Sequence, residues 1–176
     1  MTDQLSAQDW LEQGLKVLAQ RGFTALKADP LARAMGVSRG SFYWHFADIG
    51  AFHAAILKHW REVAAEQIIA GLETTEDDPI ARLLQGAFGS KQALERAVRS
   101  WAAVDPKARA AVQAIDRRRV DYVEQMLRNV GVKPDIAAPR AQILYWAFLG
   151  YALSDQQLPP PRQKAVIDEL LRAATR

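Results

Sequence analysis

Cysteine is absent from the 176 residues. That excludes a disulfide framework, a thiolate zinc site and a cysteine nucleophile, and it fits a reducing compartment. Long apolar runs are also missing: none approaches the ~18 residues that a membrane-spanning helix needs. The opening stretch MTDQLSAQDW carries two acids and lacks the basic, then apolar, pattern of a secretory signal. No stretch alternates apolar and polar residues between hairpin turns, so strands are not expected. Without a strand there is no setting for a phosphate-binding glycine loop or a nucleophile elbow. A strong excess of one charge is lacking as well. Lys and Arg number 23 against 20 Asp and Glu. Residues 1–50 are evenly balanced, with Lys16, Arg21, Lys27, Arg33 and Arg39 against Asp3, Asp9, Glu12, Asp29 and Asp48. Any DNA partner of this region is therefore held by a few placed cations, not by a bulk positive field. Together these absences predict a soluble cytoplasmic protein with no membrane partner, no enzymatic role and no cofactor.

What the chain does have is helical periodicity, with 49% of its residues hydrophobic. The expected fold class is all-α, with about nine helices. Ser6 with Asp9 three residues on reads as a capping-box start, with Trp10, Leu11, Leu15 and Leu18 on one face and Gly22 at the end. A second helix starts near Lys27 or Asp29, with Asp29-Pro30 read as N-cap and first helical residue, and runs through Leu31, Ala32 and Met35 to Gly36. Ser38 caps a third helix carrying Phe42, Tyr43 and Phe46. Asp48 caps a longer fourth through Phe52, Ile56, Leu57, Trp60, Val63 and Ile68. Breaks follow at the acidic stretch Gly71 to Pro79, at Gly89-Ser90, at Val104 to Pro106, at Val130 to Asp135 and at Leu158 to Arg162. There is no internal repeat.

The stretch GVSRGSFYWHF, Gly36 to Phe46, stands out. A short helix, a glycine turn and a second short helix form a helix-turn-helix, whose second helix enters the DNA major groove. Val37 and Phe42 face inward. Arg39, Gly40, Ser41, Trp44 and His45 then face out: Arg39 can donate twice to a guanine edge, Ser41 can bond base or phosphate, and Gly40 permits close backbone approach. Tyr43 and His45 carry donors that can hold phosphate oxygens and fix register.

With Gly22-Phe23 and Leu31-Ala32 before it, this stretch closely resembles the DNA-binding domain of the TetR family of bacterial transcriptional regulators. The resemblance covers roughly residues 6–57. It implies a homodimer that binds a palindromic double-stranded DNA operator through residues 1–50, and a helical ligand-binding and dimerisation domain over 51–176 whose small-molecule effector releases the DNA. By the same match Ser38, Tyr43 and His45 take phosphate contacts, and Arg39, Gly40, Ser41 and Trp44 face the groove. Three departures from the family pattern stand out. Leu26 and Lys27 stand where a threonine or serine usually opens the second helix, Ala28 replaces a β-branched residue, and Ile49 replaces a lysine. Lys27 can serve as a point charge toward phosphate. Each lost phosphate contact weakens binding without redirecting it, so operator affinity is expected to be modest.

His59 and Glu62 share a helix face, but no second such pair exists to complete a metal site, and none is expected. Farther along, Val98, Trp101, Ala102, Val112, Ile115, Val120 and Val123 have core spacing. Arg117, Arg118 and Arg119 spread around a helix beside Asp116, Asp121 and Glu124 and read as a solvated or acid-paired face. Trp60, Phe88, Trp101, Tyr122, Trp146 and Tyr151 are candidates to line a pocket for a mainly apolar ligand, or else ordinary core. Ile143, Leu144, Ala147, Phe148, Tyr151 and Ala152 on one helix, with Val166, Ile167, Leu170 and Leu171 on the last, are too apolar for a monomer's terminal helices. From these, the candidates for a four-helix dimer interface are Ile143, Ala147, Phe148, Tyr151, Val166, Ile167, Leu170 and Leu171. The competing expectation is an all-α partner-binding adaptor that keeps the head without binding DNA, encouraged by Ile49 and the neutral N-terminal balance.

Overall fold

The computed structural model describes residues 5–70, 78–89, 92–156 and 158–175, with side chains left out at 65–70. The acidic stretch 71–77, Ser90 and the Ile68 side chain lie outside the described residues. Nine α-helices and no strand occur among those described: α1 Ala7–Arg21, α2 Ala28–Ala34, α3 Arg39–His45, α4 Ile49–Ala70, α5 Pro79–Gly89, α6 Ala93–Val104, α7 Pro106–Asn129, α8 Pro134–Leu153 and α9 Pro160–Thr175. A single 3-10 turn, Phe23–Ala25, links α1 to α2.

The local signals explain most of these boundaries. Ser6 Oγ accepts from the Asp9 amide at 3.2 Å, and Asp9 Oδ2 accepts from the Ser6 amide at 2.7 Å, a complete capping box. Gly22 closes α1 at φ 77°, its N–H donating to Leu18. The start of α2 differs from expectation. Lys27, not Asp29, is the N-cap residue, so Asp29 and Pro30 lie inside the first turn. Proline is tolerated there because the first turn's N–H groups have no helical acceptor in any case. At the other end, Val37 donates to Ala32 O and Gly36 to Arg33 O, with Gly36 at φ 69°. This is a Schellman closure, and it demands a residue that accepts positive φ. Ser38 occupies the N-cap position of α3, yet its side chain makes no capping hydrogen bond. Asp48 caps α4 as expected, accepting from the Ala51 amide at 2.7 Å.

By packing, the described chain forms two compact units, each made of two stretches of sequence. Its compact units are Met1–Ala64 with Ala93–Gln113, and Ala65–Gln92 with Ala114–Arg176. The physical reason lies in α6, whose buried Val98, Trp101 and Ala102 give it an apolar stripe that packs in the first unit against α1. In that unit Phe42, fully buried, is ringed by Trp10 at 5.3 Å and Phe52 at 5.2 Å, and Phe46 meets Phe52 at 4.9 Å. Phe23 stacks on Trp101 at 4.4 Å, and His53 bonds the Leu26 carbonyl at 3.0 Å. Buried aromatic burial of this kind is worth about 3–5 kcal/mol per ring against alanine. The first unit is thus a rigid mount for α3.

The second unit has its own core, built on Ile80, Leu84 and Phe88 of α5, Val123, Met126 and Leu127 of α7, Ala137, Ala141 and Leu144 of α8, and Ala174 of α9. Asp78 caps α5, accepting from Ile80 and Ala81. Gly131, at φ 94°, ends α7 in a second Schellman closure with Val132 donating to Leu127 O.

Candidate nucleic-acid interface

The turn at Gly36 sets α3 against α2, and burial of Phe42 fixes which face of α3 turns outward. On that face Trp44 is 84% exposed and Tyr43 44%. Ser38, Arg39 and Gly40 are exposed, and Ser41 and His45 half-buried. Lys27 is exposed at the N-cap of α2. The eight candidate DNA-contacting residues therefore all belong to the first unit, and six of them are fully on its surface. A Cβ added at Gly40 would meet only Ser38 Oγ, at an ordinary 3.6 Å. Nothing among the described residues calls for glycine at this helical position, where it costs about 1 kcal/mol relative to alanine.

Arg39 is held in place. Its Nε lies 3.2 Å from Asp29 Oδ1, its Nη2 donates to the Tyr43 hydroxyl at 3.1 Å, and its Cζ is 5.4 Å from the Tyr43 ring centre. The Tyr43 hydroxyl first, and Asp29 next, hold the guanidinium pKa above the ordinary arginine value. Accepting from Arg39 leaves the phenolic proton of Tyr43 available to another acceptor. Ile49, at the start of α4, is 37% exposed and supplies no charge.

Residues 11–56 match the family model for bacterial regulatory proteins of the tetR family. Over that stretch the chain is similar to the TetR family. No curated protein matches the sequence. Among solved structures, a transcriptional regulator from Rhodococcus sp. Rha1 is similar at TM-score 0.76 and 20% identity over 96% of this chain and 95% of that one. A regulator from Saccharomonospora viridis, solved with choline, is similar at 0.74 and 15% over 94% and 95%. A TetR-family regulator from Rhodococcus sp. reaches 0.68 and 18% over 96% of each chain. These likenesses show a shared fold that extends beyond the matched head to nearly the whole chain.

The second unit holds the remaining candidates, and it does not bring the six pocket aromatics together. Trp60 and Trp101 are buried in the first unit's core. Tyr122 packs against the second unit's core with its hydroxyl buried and without a partner among the described residues. Phe88 and Tyr151, 4.9 Å apart, do line a half-open cleft of about 270 Å³ with Ala147, Gly150, Ser154, Gln156, Leu158, Gln163, Val166 and Leu170. Trp146 lies outside it, 63% exposed.

Among the eight interface candidates, only Ile143 and Val166 are exposed. Ala147, Phe148, Tyr151, Ile167, Leu170 and Leu171 pack against their own core. The outer face of α8 is instead made by Ile136, Ile143, Trp146 and Leu153. With Pro139 and Gly150 these positions recur alternately three and four apart, the spacing of a helix-pairing seam. Ile136, Trp146 and Leu153 were not among the expected outer residues because α8 beyond Gln142 is apolar all round, which hides its inner face from periodicity. The alternating spacing through Trp146 was the signal that could have found them.

The other sequence signals resolve simply. His59 Nδ1 lies 3.8 Å from Glu62 Oε2, and among the described residues no three His, Asp or Glu cluster as for a metal. Of the arginine run, Arg117 and Arg118 are exposed, while Arg119 sits over the Phe148 ring at 5.5 Å. Asp116 accepts from the Tyr145 hydroxyl at 2.5 Å, and Glu124 pairs with Arg128. Among the described residues no helix is long and apolar enough to cross a membrane.

Proposed function

We propose that this protein is a transcriptional regulator of the TetR family that acts as a repressor, binding a palindromic operator as a homodimer with α3 of each copy in the major groove. The observation that carries the reading is the outward array on α3, where Arg39, Gly40, Ser41 and Trp44 face out from a helix pinned by Phe42. Ser38, Tyr43, His45 and Lys27 take the flanking phosphates, and Arg39 reads a base edge. The uncapped Ser38 hydroxyl and the otherwise unexplained Gly40 support close approach of a ligand to the start of α3.

The cleft between Phe88 and Tyr151 takes a small, mainly apolar effector, with Ser154, Gln156 and Gln163 as its polar partners and no charged side chain among the described lining residues. Ile143, Trp146, Leu153 and Val166 pair the two copies. Ala147, Gly150 and Val166 border both the cleft and that face, so an effector alters the surface on which the partner sits. Helices α4 and α7 each contribute residues to both units. An effector that favours the DNA-incompetent arrangement lowers operator affinity by its differential affinity for the two states.

The test is selection of duplexes from a random pool on wild type, Arg39→Ala and Tyr43→Ala at two salt concentrations. A palindrome enriched by wild type and lost by both variants supports the reading. Enrichment of nothing by folded, dimeric protein at low salt, with and without candidate effectors, sinks it in favour of a partner-binding adaptor.

A further inference from the structure

We propose that Asp29 is a positioning residue for base reading, holding the Arg39 guanidinium so that its Nη1 end is presented to the base edges; the inference rests on the DNA-binding reading above. The two residues come from α2 and α3 and meet across the turn at Gly36. Asp29 Oδ1 stands 3.2 Å from Nε, the Tyr43 hydroxyl accepts from Nη2 at 3.1 Å, and the Tyr43 ring lies beneath Cζ at 5.4 Å. Nε and Nη2 share one edge of the planar guanidinium, so the ion pair and the hydrogen bond both hold it along that edge. Nη1 has no hydrogen bond or ion pair among the described residues. A guanidinium has five donors in a rigid fork. Held along its Nε edge, it keeps the end-on pair, Nη1 and the second Nη2 hydrogen, for guanine O6 and N7.

A carboxylate beside a DNA-facing arginine has two opposed effects. Its charge repels phosphates, which weakens binding to every sequence alike. Its geometry preorganises the arginine, which favours one base pair over others. Asp29→Asn removes the ion pair while keeping the size, and the two effects are then read apart: the charge in binding to every sequence, the positioning in the preference for one base pair. Were Asp29 only a competitor for Arg39, its loss would tighten binding uniformly and leave base preference intact.

The experiment titrates the full chain against its selected duplex, against the same duplex changed at the base pair whose preference Arg39→Ala removes, and against an unrelated duplex. Wild type, Asp29→Asn, Arg39→Ala and the double variant are compared. Asp29→Asn is expected to lower the preference for that base pair about three- to fivefold, the reach of a surface ion pair, while the unrelated duplex binds equally or more tightly. Added to Arg39→Ala, it changes the preference no further. Asp29 is half exposed, and an unchanged unfolding curve confirms that the fold is kept. Uniform tightening with preference intact overturns the inference and leaves the DNA-binding reading standing. So does a loss that persists without Arg39, or an Arg39→Ala variant with wild-type preference. If wild type distinguishes no duplexes, the DNA-binding reading falls and the inference with it.

Discussion

Gly14 of α1 lies against Ile56 of α4 so closely that a Cβ on the glycine would stand 2.4 Å from Ile56 Cδ1, and 2.8 Å from Phe52 Cζ. Ile56 and Phe52 are both fully buried, so neither has room to retreat. Two opposing terms decide the outcome of substitution. Alanine in a helix interior gains about 1 kcal/mol over glycine, and overpacking a filled core costs about 1–3 kcal/mol. Gly14→Ala is expected to be mildly destabilising and Gly14→Val to lose about 2–3 kcal/mol in urea unfolding. A Gly14→Val variant as stable as wild type would show that α1 and α4 repack freely.

The capping box of α1 makes a pH prediction. The Ser6 hydroxyl first, and the Ser6 amide next, hold the Asp9 carboxyl below its ordinary value, with His45 adding a smaller pull. A carboxylate whose folded pKa is depressed contributes stability that is present above its unfolded pKa and lost as pH falls through the folded value. Wild type should therefore lose part of its α1 capping only below about pH 4, the ordinary carboxylate range. Ser6→Ala should lower Tm by a few degrees at neutral pH and flatten that acid-side loss. Melting curves between pH 3 and 7 check both, and an unaltered acid limb in Ser6→Ala would remove the capping box from the account.

Two tyrosines of the second unit should respond oppositely to loss of the hydroxyl. Tyr145 donates to Asp116 at 2.5 Å, a bond to a charged acceptor. Its removal in Tyr145→Phe is expected to cost about 1.5–3 kcal/mol. The Tyr122 hydroxyl is buried without a partner, and burial raises its pKa. Tyr122→Phe discards an unsatisfied polar atom and should be neutral or stabilising by up to about 1 kcal/mol. Equal costs for the two variants in chemical denaturation would mean that the Tyr122 hydroxyl has an acceptor in solution.

The residues differ in how much of this was legible beforehand. Trp10, Leu18, Phe42 and Phe52 declare a buried face because local caps and a 3.6-residue period agree at each of them, and Gly36 declares its turn because only glycine accepts that φ without strain. The start of α2 was misread at Asp29-Pro30 because proline is as acceptable at the third helical position as at the first. Gly14 carried no signal, since close approach of another helix is a property of the partner. The clamp on Arg39 was equally hidden: Asp29 and Arg39 are ten residues apart on different helices, and only the turn geometry brings them together. On α8 the inner and outer faces were not separable in sequence, because beyond Gln142 that helix carries no charged or amide side chain to orient it.

Telling the two faces apart makes the dimer proposal sharper than the sequence allowed. Ile143 and Trp146 are 58% and 63% exposed, so replacing them by glutamate removes little packing within the protomer. Leu170 and Leu171 are packed on their own core, so the same replacement there attacks the fold itself. If α8 pairs two copies through its outer seam, Ile143→Glu and Trp146→Glu should each yield a folded monomer in sedimentation equilibrium. A charge buried at such a seam costs far more than the surface area it removes. Leu170→Glu should lower the unfolding midpoint at once, by about 2–4 kcal/mol of stability. Loss of operator binding should accompany the monomeric variants, because one half-site offers only half the phosphate contacts. A Trp146→Glu protein that stays dimeric with a wild-type melting curve would move the interface off this face of α8.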